Sequence, residues 1–303
     1  MLPLLNLPLL PFERIIKNME LIEIFHFSML SEQCAAAVSR ARVKVDEIAW
    51  ALFEGSNRRI IIETPINSVW IDFDAEKSQL QETLSSQRFT VRKNLLTESV
   101  VYTSKPTKCL LEHLSAHIVK IFEAKQLFLT ATYVVPSLPT LWHKLDLHFE
   151  KVILLKDHNK DDCSESLTFL LDNCKVEKLS LELRVAPGFQ SNRPLKYRNL
   201  TVYGADWFNR DNLFNMECEK LRIEGSHITT SDLNVFFKKW KEGGFPKLKY
   251  FHIFWPLGFK WDLRIEEVDE KGKPILTDVH GNRGVFLVNQ CSFIEFNVNV
   301  QDY

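Results

Sequence analysis

No stretch of this 303-residue chain approaches eighteen consecutive apolar residues, so no transmembrane helix is expected. Neither sign of charge dominates. The formal net charge is −1, which removes the electrostatic pull toward nucleic acid or an anionic membrane that a basic surplus would supply. The six cysteines, at 34, 109, 163, 174, 218 and 291, are scattered without a Cys-x-x-Cys. They read as reduced, mostly buried thiols of a cytoplasmic or nuclear protein. A glycine-rich phosphate loop, GxGxxG, HExxH and GxSxG are all missing, and no nucleophile–base pair can be nominated. Enzyme is therefore the weakest functional class, and no cofactor is expected. Pro and Gly do not gather into a long linker. No Lys or Arg precedes Arg14, and Pro3, Pro8, Pro11 and Asn6 break the opening apolar run. With no small-residue cleavage site close behind, this argues against a signal peptide and secretion.

What is present is an ordinary globular composition, 45% hydrophobic and 25% charged, long enough for about two domains. The first forty residues are the most informative. A leucine tract punctuated by proline runs into a short amphipathic helix, with Pro11 suited to its first position, where a missing N–H costs nothing. Phe12, Ile15, Ile16 and Met19 fall at i, i+3, i+4 and i+7, one apolar stripe. A second helix runs from about Glu20 to Leu30, and Ser31 can cap an alanine-rich third over Glu32–Arg42. Three helices are too few to close a core alone, and such a unit gives its spare apolar surface to a partner.

Past residue 120 a strand signature recurs as a polar residue followed by apolar-x-apolar. The apolar pairs are Leu127/Leu129, Val152/Leu154, Leu179/Leu181, Leu200/Val202, Leu221/Ile223 and Phe251/Ile253, in steps of 25, 27, 21, 21 and 30 residues. These steps lie within or near the range of leucine-rich-repeat units, and the alternation is that of a half-buried strand. Helices or turns are expected between strands, over 138–145, 164–173, 206–216 and 230–242. The last is the clearest. Thr230 or Ser231 can cap it, Leu233, Phe236, Phe237 and Trp240 form its apolar stripe, and Gly243-Gly244 stop it in left-handed geometry. The physical reading is a strand–helix solenoid whose parallel strands line one side.

Residues 46–125 say less. Arg59–Glu63 and Val69–Phe73 read as a hairpin turned by Pro65-Ile66-Asn67-Ser68, and Pro106 starts a helix carrying Leu110, Leu114, His117, Ile118 and Ile121. Strands at 263–268, 275–279, 285–289 and 292–300 would cap the open end of the solenoid. Cys109, His113 and His117 share a helix face, but a fourth metal ligand is not evident and a half-buried helix surface fits better. His143, Asp146 and His148 read as surface residues. Phe236–Tyr250 mixes aromatics with lysines, yet its rings lie on the apolar stripe, so a core role outweighs nucleic-acid stacking.

Two segments carry a family resemblance. Leu7-Pro8, the helix with Ile15, Ile16 and Met19, the helix with Leu21, Ile24 and Phe25, and Ser28-Met29-Leu30-Ser31 together resemble the F-box, in the divergent form of a large nematode family. The tryptophan usual near the end of the third helix is missing, the nearest being Trp50. Glu219–Gly225 followed by Ile228–Gly244, with its Thr-Ser-Asp-Leu-Asn and Phe-Phe-Lys-x-Trp-x-x-Gly runs, resembles the type 2 F-box-associated domain that follows the F-box in that family. The two resemblances span about 2–42 and 145–256.

The resemblance implies an α+β protein: a three-helix F-box at 1–45, a connecting α+β region at 46–125, and a leucine-rich-repeat-like solenoid with a β-rich C-terminal cap at 126–303. It implies an intracellular substrate-recognition subunit of a ubiquitin ligase complex, working through protein–protein interaction. Leu7, Pro8, Ile15, Ile16, Met19, Ile24 and Leu30 would contact a Skp-type adaptor and, through it, cullin. An unknown protein substrate would bind the outward strand positions Ser180, Glu182, Thr201, Tyr203, Arg222, Glu224 and His252, positions that equally suit ordinary solvated residues. The other reading is a ligase-independent repeat-type binding or sensor module whose N-terminal helices cap the solenoid. No metal, nucleic-acid or membrane partner is expected.

Overall fold

Side-chain and backbone geometry comes from a computed structural model that describes residues 7–53, 58–73, 82–84, 87–93, 98–102, 108–131, 149–155, 162–173, 176–183, 185–186, 188–191, 193–254, 265, 267–289 and 293–298. The expected helix over 138–145, with His143, Asp146 and His148, lies outside the described residues, as do Cys174, Cys291 and the start of the strand expected at 263. The chain divides into two compact units, 1–150 and 151–303.

The first unit opens with α1 (Leu9–Lys17), α2 (Leu21–Met29) and α3 (Glu32–Ala41). The first helix begins earlier than Pro11 suggests. The Pro8 carbonyl accepts the first helical bond, from the Phe12 N–H at 3.1 Å, so Pro11 stands in the third position of the first turn. Its missing donor is still one of the four that a helix start leaves unpaired. In α2 the Glu23 carboxylate accepts from the Glu20 N–H at 3.0 Å. Ser31 caps α3 as expected, its Oγ accepting from the Cys34 N–H at 3.1 Å. Arg42 ends α3 with φ at 49°, left-handed, and turns the chain into the sheet.

That sheet holds β1 (Val43–Leu52), β2 (Arg58–Glu63), β3 (Ser68–Phe73), β4 (Glu82–Leu84), β5 (Gln87–Lys93), β6 (Glu98–Tyr102) and β7 (Phe122–Ala131), in the order β7-β1-β2-β3-β6-β5-β4. β2 and β3 form the expected antiparallel hairpin. β7, which holds Leu127 and Leu129, pairs in parallel with β1. The helix α4 (Lys108–Ile121) packs against α3 and β7 and buries Leu111, Leu114 and Ile118. Trp50, fully buried on β1, donates its indole N–H to the buried Ser115 Oγ of α4 at 2.8 Å and meets the Phe149 ring edge-on. It is a core residue of the sheet and stands apart from the third helix.

The second unit contains the parallel strands β8 (Lys151–Leu154), β9 (Lys178–Glu182), β10 (Asn199–Tyr203), β11 (Lys220–Glu224) and β12 (Tyr250–Phe254). The antiparallel strands β13 (Glu267–Val268), β14 (Pro274–Thr277), β15 (Arg283–Asn289) and β16 (Phe293–Val298) extend them, β16 pairing with β12. The capping strands thus satisfy the hydrogen-bonding edge of β12. Between strands lie α5 (Ser164–Asn173), the single-turn α6 (Arg210–Phe214) and α7 (Thr230–Lys241). Of the helix expected over 206–216, only the middle is helical, because Asn209 and Asn212 cap each other and set its start.

Each parallel strand buries its apolar pair in register, Leu179 beside Leu200, Leu221 and Phe251, and Leu181 beside Val202, Ile223 and Ile253. The same face receives α7, whose Phe236 and Phe237 lie 5.2 and 5.8 Å from the Phe251 ring. Trp240 packs edge-on to Phe296 at 4.9 Å, carrying the core into the capping strands. The cap of α7 is Thr229, the residue before Thr230. Its Oγ1 accepts from the Asp232 N–H at 3.2 Å, while the Asp232 carboxylate accepts from the Thr229 N–H at 3.0 Å, a reciprocal box. Gly243, at φ 89°, ends the helix in left-handed geometry as the sequence suggests.

Candidate functional site

Two surfaces, one in each unit, hold the residues singled out from the sequence. On the N-terminal helices those residues divide by burial. Ile16 and Ile24 are buried within the chain's own helices, beside Phe12, Leu21 and Phe25. Both side chains are covered by the chain's own atoms. The apolar stripe of α1 is spent mostly on α3. Leu7 and Met19 are half-buried, and Pro8 is exposed. Leu30 is 58% exposed, Ile15 40%, and Leu10 72%. Leu10 falls outside the Phe12–Ile16 face, and an apolar residue off the packed stripe was the signal available in the sequence. An open depression of about 630 Å³ between the C-terminal ends of α1 and α3 is lined by Glu13, Lys17, Arg40 and Arg42.

These helices are tied to α4 through a polar contact. Ser28 Oγ donates to the Phe25 carbonyl at 2.6 Å and lies 2.8 Å from His117 Nε2. With the hydroxyl proton committed to the carbonyl, the imidazole N–H is the donor to Ser28. Burial, and then the charge of Lys120, hold the His117 pKa below its ordinary value. His117 is thereby engaged inside the unit, and the side chain of Cys109 lies outside the described residues.

On the repeat unit, the face opposite the core is ordered into rows by the register. At the start of the strands run Lys151, Lys178, Asn199, Lys220 and Tyr250. In the middle run Ile153, Ser180, Thr201, Arg222, His252 and Glu295. At the end of the strands run Glu182, Tyr203, Glu224, Phe254 and Phe293. All seven strand positions singled out from the sequence therefore fall on the middle and end rows.

Their surroundings differ. Arg222 donates to Glu224 through Nε at 2.9 Å and Nη2 at 2.5 Å, and those bonds hold its guanidinium charged. It also lies 5.8 Å from the Tyr203 ring. His252 stacks parallel to Tyr250 at 6.4 Å and tilts against Phe293 at 5.5 Å. Burial, then the Arg222 charge, lower its pKa, and its Nδ1 is buried without a hydrogen-bond partner among the described residues. Just before the strands, Glu219 bridges Arg198 at 3.5 Å and Lys249 at 2.8 Å, and Glu217 bridges Lys196 at 2.9 Å and Lys247 at 3.1 Å. Lys196 and Lys247 pull the Glu217 carboxyl below the usual carboxylate range, and Lys249 does the same for Glu219. These pairs link successive repeats at their exposed edge.

Among the described residues no group of three or more His, Cys, Asp or Glu converges as a metal site would, and no helix is long and apolar enough to cross a membrane.

Comparison with known proteins agrees with this division. A family model described as F-box domain matches residues 4–46, and one described as F-box associated matches residues 189–253. The second match takes in β10, α6, β11, α7 and most of β12. The chain is also similar to an uncharacterized protein of Caenorhabditis elegans, 19% identical over 279 residues, which make up 87% of this chain. The chain spans 63% of the length of that curated relative. This protein carries an F-box over its N-terminal helices and an F-box-associated domain in its second half.

Proposed function

We propose that this chain is the substrate-recognition subunit of a Skp–cullin–F-box ubiquitin ligase. The observation that carries the reading is the order of two matched regions in one chain, an F-box at 4–46 followed by an F-box-associated region at 189–253. The F-box helices bind the Skp-type adaptor and through it the cullin, and the outward face of the repeat strands binds the target protein. The chain performs no chemistry itself. It raises the effective concentration of a target lysine near the ligase-bound ubiquitin carrier. Adaptor contact is assigned to the exposed apolar residues Pro8, Leu10, Ile15 and Leu30, with Leu7 and Met19 at the margin and Ile16 and Ile24 as positioning residues beneath. A few exposed apolar anchors carry most of the energy of an interface of this kind.

The test is capture of the full-length chain by purified Skp-type adaptor. The chain should bind stoichiometrically, and Leu10→Asp combined with Leu30→Asp should weaken capture at least tenfold while its circular dichroism stays unchanged. Deleting the helices is a poorer test, because it would strip α4 of its cover. A second reading has its own support: the N-terminal helices are built into the first unit through α3, α4 and the Ser28–His117 contact, as a structural cap would be. A folded chain that ignores the adaptor would favour that ligase-independent module.

A further inference from the structure

The outward face of the repeat sheet is polarised across the strands. One rim carries Lys151, Lys178 and Lys220 at the strand starts, and the opposite rim carries Glu182 and Glu224 at the strand ends. Between them the floor on β8 to β10 is made of the shorter side chains Ile153, Ser180 and Thr201. The rims are four residues apart along a strand, about 13 Å at ~3.3 Å per residue. An α-helix with its side chains is about 10–12 Å across. Within each rim the like charges on β9 and β11 are separated by two strand spacings, ~10 Å. On a helix, positions i and i+7 lie on the same flank about 10.5 Å apart.

We infer that this face binds an amphipathic α-helix of the target protein, laid across the strands, with acidic residues at i and i+7 on one flank and basic residues at the matching spacing on the other. The acidic flank meets the lysine rim and the basic flank meets the glutamate rim, while the small apolar stripe between them settles on Ser180 and Thr201. Arg222 and His252 raise the floor on β11 and β12 and limit how far the helix runs. Glu224 is shared with Arg222, so Glu182 is the stronger acidic point. The inference rests on the repeat face being the target-binding surface, and it adds the class of target.

The two rims make a specific test available. A helix turned end for end exchanges its flanks, so exchanging the rims of the protein should preserve binding, whereas making both rims alike should not. The probe is a synthetic helical peptide about sixteen residues long with Glu at i and i+7 on one flank and Lys on the other, read by fluorescence anisotropy with the full-length chain. It should bind at least tenfold more tightly than peptides carrying Glu on both flanks or Lys on both flanks. The variant K178E/K220E should lose at least tenfold, and adding E182K/E224K to it should restore binding. Equal binding of the three peptides, or an unchanged affinity in K178E/K220E, would overturn the inference. Adaptor capture of the same variants separates this outcome from failure of the ligase reading, because none of these four residues lies on the N-terminal helices.

Discussion

Ile16 offers the sharpest contrast between a residue that binds a partner and one that supports the surface. It is fully buried on α1, which packs against α3, where Val38 and Ala41 are fully buried too. Ile16→Ala removes three carbons, about 2.5 kcal/mol of transfer free energy at ~0.8 kcal/mol each, and leaves a cavity. The total should fall in the range of about 2–5 kcal/mol. Leu10→Ala, at a position 72% exposed, should stay within about 0.5 kcal/mol. Because the chain forms two compact units, a single melting temperature would blur the effect. Hydrogen exchange followed by mass spectrometry reads α1 to α3 directly. Ile16→Ala should accelerate exchange across all three helices, and Leu10→Ala should leave it unchanged. If Ile16→Ala exchanged like the parent chain yet weakened adaptor capture as strongly as the exposed-site variants, Ile16 would be a contact residue and the reasoning would fail.

His117 should make the stability of the first unit depend on pH. Its folded pKa is lowered by burial from the ordinary 6.5, so between the two values the unfolded chain binds the extra proton and stability falls as the pH falls through that window. It is fully present above about pH 6.5, and His117→Asn should flatten a denaturant series run from neutral into that window. Gly284→Ala should destabilise the capping strands by about 1–3 kcal/mol, since a Cβ there would run into the fully buried Phe296 ring. Gly284→Ala melting with the parent chain would mean that the aromatic cluster can yield. Cys218, buried and pushed up to about 12, should resist iodoacetamide at pH 8 in the folded chain and react on unfolding.

The second unit was legible because its period survives tertiary packing. The apolar-x-apolar pairs from Val152/Leu154 to Phe251/Ile253 are buried, and the stripe of α7 faces them. The first unit was harder for a local reason. Along β1 the alternation skips a beat at Asp46-Glu47, Val43 and Val45 being buried on one phase and Ile48, Trp50 and Leu52 on the next. The parallel partner β7 loses its phase over the same stretch, and Lys125 pairs with Asp46 there. A period-two reading breaks at such a place.

The same limit governed the candidate surfaces, and it acted differently on helix and strand. On a strand, one residue in two faces each way, so assigning Leu179 inward places Ser180 outward without further information. The seven repeat positions could therefore be named from sequence, and the in-register pairing then arranges them into rows that no single strand reveals. On α1 the stripe of Phe12, Ile15, Ile16 and Met19 marks an apolar face, and a face may be turned to the chain or to a partner. Periodicity is identical in the two cases. What separates them is the rest of the unit: with α3 and α4 in place, Phe12 and Ile16 are consumed internally, and the apolar side chains left over are those at the edge of the stripe or off it, Ile15 and Leu10. An apolar residue that its own helix geometry does not explain is thus the better sequence marker for a partner surface than the stripe itself.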